Sequence, residues 1–162
     1  MGLFSNYAAS KKAIVYSFEP GKTAYNILKK NISFYDNIIS YPYAVGNENQ
    51  YENYIECLNI GGSHLEKYNL NFDSGFRSKY QIKKIILDDF FYNKKIDFIK
   101  IDTEGSEEEI ILGAKNILKK YQPKLAIASY HFYNDKIILA NTIKQINPNY
   151  NIIEERNKLF CW

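Results

Sequence analysis

Apolar and polar positions along the chain follow patterns that predict strands and helices in turn. Short apolar runs with β-branched residues predict buried strands at residues 13–18, 38–43, 96–101 and 124–129. Apolar residues at helical spacing predict helices at about residues 3–10, from about residue 23, and over about 134–146. This alternation is typical of an α/β fold with a mostly parallel sheet.

The clearest helix predicted by the pattern follows Ser106. Its apolar face is formed by Ile110, Ile111, Ala114, Ile117, Leu118 and Tyr121. Acidic side chains fill the first turn, and Lys119 and Lys120 fill the last turn, as the helix dipole favours. Because Pro123 cannot continue a helix, we expect one helix that ends before it.

The middle of the chain has a different pattern. Residues 51–58 and 80–86 alternate in part, which is typical of antiparallel strands. The polar segment 59–79 between them predicts a lid or a disordered insertion, so we expect a lid-like insertion at about residues 51–86. Residues 150–155 and 159–162 predict a closing antiparallel hairpin.

Length and composition favour one domain, residues 1–162, with 46% hydrophobic residues and a net charge of +3. The many aromatic residues are scattered and form no basic stripe, which argues against nucleic-acid binding. Cys57 and Cys161 lack metal-ligand spacing and are expected to be free thiols. No leader and no apolar run of roughly 20 residues is found, so we expect a cytoplasmic protein without a membrane span.

The strongest chemical signal lies after the strand at residues 96–101. Asp102 and Glu104 follow this strand directly, and Gly105 permits a tight turn. Ser106 and Glu109 have the spacing of a capping box for the next helix. Ligands of open α/β sheets bind at the carboxyl ends of the strands, so Asp102 and Glu104 are expected at a binding site.

A second carboxylate, Glu19, follows the first predicted strand. At this position a carboxylate can accept both ribose hydroxyls of a nucleotide cofactor. It could equally be a solvated loop acid before Pro20. Position alone does not separate a nicotinamide cofactor from S-adenosylmethionine, because both carry an adenosine ribose.

A family resemblance adds to these patterns. The segments that carry it are, in chain order, VYSFEP at 15–20, LDDF at 87–90, IDFIKIDTEGSE at 96–107, LGA at 112–114, and Pro123. Together they resemble the FkbM family of S-adenosylmethionine-dependent methyltransferases over nearly the whole chain.

The resemblance implies a Rossmann-like methyltransferase sheet, mostly parallel with an antiparallel C-terminal hairpin. It implies O-methyl transfer to a hydroxyl of a sugar or other small metabolite. Glu19 would bind the cofactor ribose, Ala44 and Val45 would lie beside the adenine, and Asp102 would face the methyl-donor end. Gly2 and Pro20 complete the set of residues expected at S-adenosylmethionine.

The chain also departs from the family pattern. Family members begin with a strand and an Asp-x-Gly-x-x-x-Gly loop that holds the methionine part of the cofactor, and Gly2 matches the last glycine of that loop. The usual first strand, which lies in the middle of the family sheet, is therefore expected to be absent. We expect this chain alone to bind S-adenosylmethionine weakly or not at all, and to be marginally stable or self-associated through the incomplete sheet.

Methyl transfer to a hydroxyl requires a base for the acceptor's proton, and His131 is the best candidate because it follows a buried strand. A surface or capping histidine is an equal alternative for His131, and His64, in the polar loop, ranks lower. Asp102 would orient the acceptor or the cofactor amine. Glu104 and Glu107 are weaker candidates, because acidic residues at a helix start stabilise the helix dipole without any ligand. A divalent ion held by Asp102, Glu104 and His131 is less favoured, and no metal is expected.

Two functions follow from the sequence. The first is an FkbM-like O-methyltransferase with a small-molecule acceptor, which a glycan could supply. The second is a non-catalytic remnant or fragment of such an enzyme that needs a missing segment or a partner chain. An NAD-linked oxidoreductase ranks third, because the glycine fingerprint for that cofactor is absent from the sequence.

Overall fold

A computed structural model describes residues 1–68 and 74–162 of the chain. The chain divides into two compact units, which we describe separately. Unit 1 comprises Met1–Ala44 and Tyr51–Lys83, and unit 2 comprises Val45–Gln50 and Lys84–Trp162. Within the described ranges, no helix has both the length and the apolar character needed to cross a membrane.

Unit 1 begins with two helices and a pair of parallel strands. These elements are α1 (Leu3–Ser10), β1 (Val15–Phe18), α2 (Lys22–Ile32) and β2 (Ile38–Tyr41). β1 pairs with β2 in parallel, from Val15 opposite Ile38 to Phe18 opposite Tyr41. Three residues of α2 at i, i+4 and i+8 are buried, namely Ala24, Leu28 and Ile32, so one face of this helix forms a core.

The predicted insertion is largely sheet. The strands are β3 (Ala44–Gly46), β4 (Gln50–Cys57), β5 (His64–Leu65) and β6 (Phe76–Ile86), in the spatial order β3-β6-β4-β5. A core cluster of Ala44, Tyr54, Leu65 and Ile82 packs within this sheet. The predicted polar loop 59–79 therefore contains a short buried strand, and its residues 69–73 lie outside the described residues. A lid function for this segment stays a prediction.

Unit 2 is a second compact unit of helices and strands. It contains α3 (Leu87–Phe90), β7 (Phe98–Ile101), α4 (Glu107–Leu112), α5 (Lys115–Tyr121), β8 (Lys124–Ala128), α6 (Asp135–Ile146), β9 (Ile152–Glu155) and β10 (Lys158–Cys161). The strand order is β7-β8-β10-β9. β7 and β8 are parallel, and β10 is antiparallel to both β8 and β9, which confirms the predicted C-terminal hairpin.

The single helix predicted after Ser106 is wrong, because α4 and α5 are separated at Gly113 and Ala114. A β-carbon built on Gly113 would lie 1.9 Å from the carbonyl oxygen of Gly46, so the backbone of another segment approaches too closely for any side chain. The second helix has its own cap, since Asp88 accepts hydrogen bonds from the backbone N–H groups of Asn116 (2.8 Å) and Ile117 (2.9 Å).

The prediction of one parallel sheet is also wrong for the described residues. The strand that ends before Glu19 pairs with β2 in a two-stranded sheet, while the strands that end before Asp102 and Ser129 belong to the four-stranded sheet of unit 2. Val45 lies in β3, which belongs to the third sheet. What is confirmed is a mixed α/β fold with two separate parallel strand pairs.

Candidate active site

In unit 1, the candidate site is the carboxyl end of β1. Glu19 follows this strand, and its backbone N–H donates to the carbonyl oxygen of Tyr41 (3.1 Å). Its side-chain Oε1 accepts a hydrogen bond from the N–H of Gly21 (2.9 Å), so the carboxylate folds back over its own loop. Burial raises the pKa of Glu19, and the charge of Glu56 adds to this rise, whereas the Gly21 N–H and the amino group of Met1 oppose it.

The loop after Glu19 leads into α2, whose start has no side-chain cap of its own, because the residue at the cap position is Gly21. Two strands of the third sheet supply the acceptors. The N–H of Lys22 donates to the hydroxyl of Tyr80 (2.8 Å), and the N–H of Thr23 donates to Oε1 of Glu56 (2.8 Å). The start of α2 is therefore held by side chains that are distant in sequence.

Glu56 is buried, with 4% of its surface exposed. Burial would raise the pKa of this carboxyl, but hydrogen bonds from Thr23 and from the hydroxyl of Ser78 (3.3 Å) outweigh burial and lower it. Glu56 is therefore held as a carboxylate at the positive end of α2.

Gly21 is a position where a side chain would collide with the site. A β-carbon built there would lie 3.1 Å from Oε1 of Glu19 and 3.1 Å from the hydroxyl of Tyr54. Burial, and next the charge of Glu19, raise the pKa of Tyr54, which keeps its phenol neutral. The loop thus depends on glycine for close approach of a carboxylate and a phenol.

The other residues predicted at the cofactor have different surroundings. Gly2 adopts a left-handed φ of 88° before α1, and a β-carbon there would lie 3.1 Å from Leu28. Pro20 is partly buried beside Glu19, and Ala44 is buried in the core cluster of the third sheet. Val45 is partly buried and belongs to unit 2. Their roles at a cofactor stay predictions.

In unit 2, the carboxyl end of β7 turns sharply. Glu104 and Gly105 have φ angles of 50° and 99°, which lie in the left-handed region. The predicted capping box is wrong, because the Ser106 side chain makes no capping hydrogen bond. Glu107 organises the turn instead: its carboxylate accepts from the N–H of Thr103 (2.8 Å), the hydroxyl of Thr103 (3.1 Å) and the N–H of Gly105 (3.0 Å).

His131 follows β8 and has a side chain with no exposed surface. Its Nε2 lies 3.3 Å from Oε2 of Glu104, and its Nδ1 lies 3.2 Å from Oε1 of Glu107, although neither ring nitrogen has the alignment of a good hydrogen bond. Burial opposes protonation, but the two carboxylates outweigh it and raise the pKa of His131 to about 10. The ring is therefore an imidazolium between two carboxylates at neutral pH.

Asp102 is more accessible than this buried cluster. One of its oxygens accepts from Nζ of Lys100 (3.0 Å) and the other from the hydroxyl of Tyr130 (3.3 Å). Burial, and next the charge of Asp102, raise the pKa of Tyr130 to about 12, so the phenol stays protonated as a donor. Asp102 and His131 thus reach the same edge of the unit 2 sheet through adjacent parallel strands.

The remaining candidate, His64, belongs to unit 1. His64 does not lie in a mobile loop: it is buried in β5, pairs with Ile55 of β4, and has Nδ1 2.8 Å from the carbonyl oxygen of Gly62. Among residues 1–68 and 74–162, no three His, Cys, Asp or Glu side chains form a group that could hold a metal ion. Asp102, Glu104 and His131 therefore do not form the cation site considered from the sequence.

Sequence reasoning missed Glu56, Tyr80 and Tyr130. The one local signal for Glu56 was its place two residues after Tyr54, on the same face of an alternating strand. Tyr80 had no distinguishing signal, because tyrosine occurs 15 times in the chain, whereas Tyr130 directly follows the predicted strand 124–129, the signal that also marked His131.

Comparison with known proteins gives two findings. A family model described as the Methyltransferase FkbM domain matches residues 2–157. The crystal structure of Methyltransferase FkbM from Methylobacillus flagellatus is similar to this chain, with a TM-score of 0.66 and 24% sequence identity. The similarity covers 98% of this chain and 40% of that one, so this chain spans about two fifths of its length. No curated protein matches the chain.

Proposed function

Because the chain belongs to the FkbM methyltransferase family, we propose that it is an S-adenosylmethionine-dependent O-methyltransferase acting on a hydroxyl of a sugar or other small metabolite. The family match over residues 2–157 carries this proposal. The carboxylates at the ends of β1 and β7 support it, because strand ends are where α/β proteins bind ligands. We further propose a cytoplasmic location.

Glu19 fits the ribose of the cofactor. Its Oε1 accepts from Gly21, and a carboxylate has a second oxygen that can accept from hydroxyl donors. The raised pKa shows a desolvated carboxylate for which further donors would be favourable. Gly2, Pro20, Ala44 and Val45 are proposed to complete the cofactor site around Glu19.

When bound, S-adenosylmethionine would supply a methyl group bonded to a sulfonium sulfur, so that the acceptor oxygen forms a bond to the methyl carbon while the carbon–sulfur bond breaks and the sulfur leaves as a neutral thioether. The protein must then orient the acceptor and accept the proton of its hydroxyl. Asp102 suits this task, because its carboxylate is 38% exposed and is fixed by Lys100 and Tyr130. We propose Asp102 as the group that orients the acceptor and takes its proton.

The general-base role of His131 stays a prediction, and the geometry favours a different role for this residue. A base must offer a free nitrogen lone pair, and an imidazolium with both nitrogens beside carboxylates offers none. His131 is better suited to fix Glu104 and Glu107, and with them the turn that carries Asp102. On this account, His131→Ala should lower turnover through the position of Asp102.

A second candidate function is a non-catalytic remnant or fragment of such an enzyme, and the sheets support it. In the described residues, the two parallel strand pairs belong to separate sheets. We propose a Rossmann-like sheet that lacks its usual first strand, so that full activity requires a further segment or a partner chain. Self-association would be one way to complete such a sheet.

Titration of the purified chain with S-adenosylmethionine, together with its mass in solution, separates the two candidates. Ligand-observed NMR suits this experiment, because it reaches dissociation constants of about 1 mM, equivalent to about −4 kcal/mol. Weak, saturable binding supports the methyltransferase proposal with an incomplete sheet. A monomer that binds with low-micromolar affinity would contradict the proposal that the sheet lacks a strand needed for binding. The absence of saturable binding would favour the non-catalytic remnant or fragment.

Methylation itself is tested with radiolabelled S-adenosylmethionine and a panel of sugars and other hydroxyl compounds. Transfer of label to a hydroxyl, lost in Asp102→Asn, is expected. The matched control is Asp97→Asn, an exposed aspartate just before β7. Equal transfer by Asp102→Asn and the parent would remove Asp102 from the proposed chemistry.

A further inference from the structure

The first turn of α2 has an unusual source of capping. Helix starts leave N–H groups without partners within the helix, and these are normally satisfied by a nearby Ser, Thr, Asp or Asn. Here the cap position is Gly21, and the first turn contains no acidic residue. The N–H groups of Lys22 and Thr23 are instead satisfied by Tyr80 of β6 and Glu56 of β4.

A third hydrogen bond, which the Glu19 carboxylate accepts from Gly21, lies directly beside these two in the chain. Three consecutive N–H groups, those of Gly21, Lys22 and Thr23, donate to Glu19, Tyr80 and Glu56 in that order. A shift of the helix start would therefore move the N–H that fixes the Glu19 carboxylate. Packing reinforces the arrangement, because Nζ of Lys22 lies 4.1 Å from the centre of the Tyr80 ring.

We propose that Glu56 and Tyr80 are positioning residues, which hold the start of α2 so that the loop of Glu19 keeps the shape that accepts the ribose hydroxyls of the cofactor. This inference rests on the proposed function for the identity of the ligand. It assigns part of the predicted lid-like insertion a fixed structural task beside the cofactor loop.

The electrostatics of the loop add a second effect of Glu56. The groups that act on the pKa of Glu19 are its own loop N–H at Gly21, the Met1 amino group and the Glu56 carboxylate, while the pKa of the Tyr54 phenol is itself raised by burial and next by Glu19. The negative charge of Glu56 disfavours a second negative charge on Glu19. Replacing Glu56 by glutamine keeps an acceptor for Thr23 but removes this repulsion.

The variants Tyr80→Phe, Glu56→Ala and Glu56→Gln separate these effects. Tyr80→Phe keeps the ring and removes the hydroxyl that accepts from Lys22 and hydrogen-bonds to Glu56, so S-adenosylmethionine binding should weaken about 3-fold to 10-fold. Glu56→Ala should weaken binding at least as much, and Glu56→Gln should restore most of the loss. Tyr51→Phe, at an exposed tyrosine of β4, is the matched control and should bind like the parent.

One readout, the pH dependence of binding, would not respond to a purely structural role, and two further readouts need no ligand. Binding should weaken at acid pH as Glu19 becomes protonated, and in Glu56→Gln this acid limb should move to lower pH. In the absence of ligand, NMR titration of the Glu19 carboxyl should give a lower pKa in Glu56→Gln than in the parent. Amide exchange at Lys22 should be faster in Tyr80→Phe, because its acceptor is lost.

The outcomes distinguish this inference from the proposed function. If the parent binds no S-adenosylmethionine, the proposed function fails for this chain, while faster Lys22 exchange and a lower Glu19 pKa would still support positioning by Tyr80 and Glu56. If the parent binds and Tyr80→Phe and Glu56→Ala bind equally well, the inference is overturned. Unchanged Lys22 exchange together with an unchanged Glu19 pKa would also overturn it.

Discussion

Glu19 of unit 1 and Glu107 of unit 2 are carboxylates beside parallel strand ends, yet their pKa values shift in opposite directions. Burial dominates at Glu19, which accepts one backbone hydrogen bond, and its pKa is raised. At Glu107, which is only 2% exposed, the hydrogen bond and charge of the His131 imidazolium and the backbone N–H groups of Thr103 and Glu107 outweigh burial and lower the pKa. The direction of each pKa shift is therefore decided by the hydrogen-bond donors and the positive charge around the carboxylate more than by its depth of burial.

This difference separates two functions of a buried carboxylate. Glu107 uses its oxygens to hold a turn in the left-handed region, so its interactions are already made in the protein alone. Glu19 retains capacity for further donors, as a ligand-binding carboxylate requires. The account therefore predicts that unit 2 depends on its carboxylate for stability and that unit 1 uses its carboxylate for binding.

The largest expected effect is on Glu107. Glu107→Ala leaves the imidazolium of His131 with Glu104 alone and removes the acceptor of the turn, so the free energy of unfolding should fall by about 3–5 kcal/mol. Urea denaturation measures this loss. Glu48→Ala, at an exposed acid elsewhere in unit 2, is the control, with a change below about 1 kcal/mol. Equal losses in the two variants would show that the buried cluster has no special role.

The pH dependence of stability should reveal the His131 cluster. A raised pKa in the folded state stabilises the protein below the ordinary value of 6.5, and this contribution is lost as pH rises toward about 10. We expect the free energy of unfolding to decline by about 1.5–3 kcal/mol over this range, the usual value of a hydrogen bond to a charged group. His131→Asn should remove the decline, and His64→Asn should retain it. A decline of the same size in His131→Asn would show that other groups cause the loss of stability.

A smaller effect of opposite sign is expected at Glu19. The raised pKa means that the ionised form is disfavoured in the folded state, so this carboxylate costs stability above its ordinary pKa of 4.5. Glu19→Gln keeps the acceptor for Gly21 and should raise the free energy of unfolding by about 0.5–1 kcal/mol at neutral pH. A marked loss of stability in this variant would make Glu19 a structural carboxylate like Glu107.

Local patterns predicted the elements well, because periodicity and strand ends are properties of short segments. The strands before Glu19 and Asp102 and the C-terminal hairpin were located in this way. The interruption at Gly113 was not, since it depends on the close approach of Gly46. The division into separate sheets was also missed, because pairing joins strands that are distant in sequence.

The candidate site was likewise predictable only as far as local sequence patterns reach. Glu19 and Asp102 could be found as acids after strands, but their partners could not. The contact of Glu56 with Thr23 joins residues 33 positions apart, and that of Tyr80 with Lys22 joins residues 58 positions apart. The enclosure of His131 by Glu104 and Glu107 likewise requires the fold, which is why the sequence suggested a free base.

The most direct test of the account is the dissociation constant of S-adenosylmethionine for the parent chain and for Glu19→Ala, measured by ligand-observed NMR at neutral pH. We predict weak, saturable binding to the parent. In Glu19→Ala the free energy of binding should become less favourable by about 1.5–3 kcal/mol, the value of a hydrogen bond to a charged group. Glu155→Ala, at an exposed acid of β9, is the control and should bind like the parent. Equal dissociation constants for Glu19→Ala and the parent would contradict the assignment of Glu19 to the cofactor.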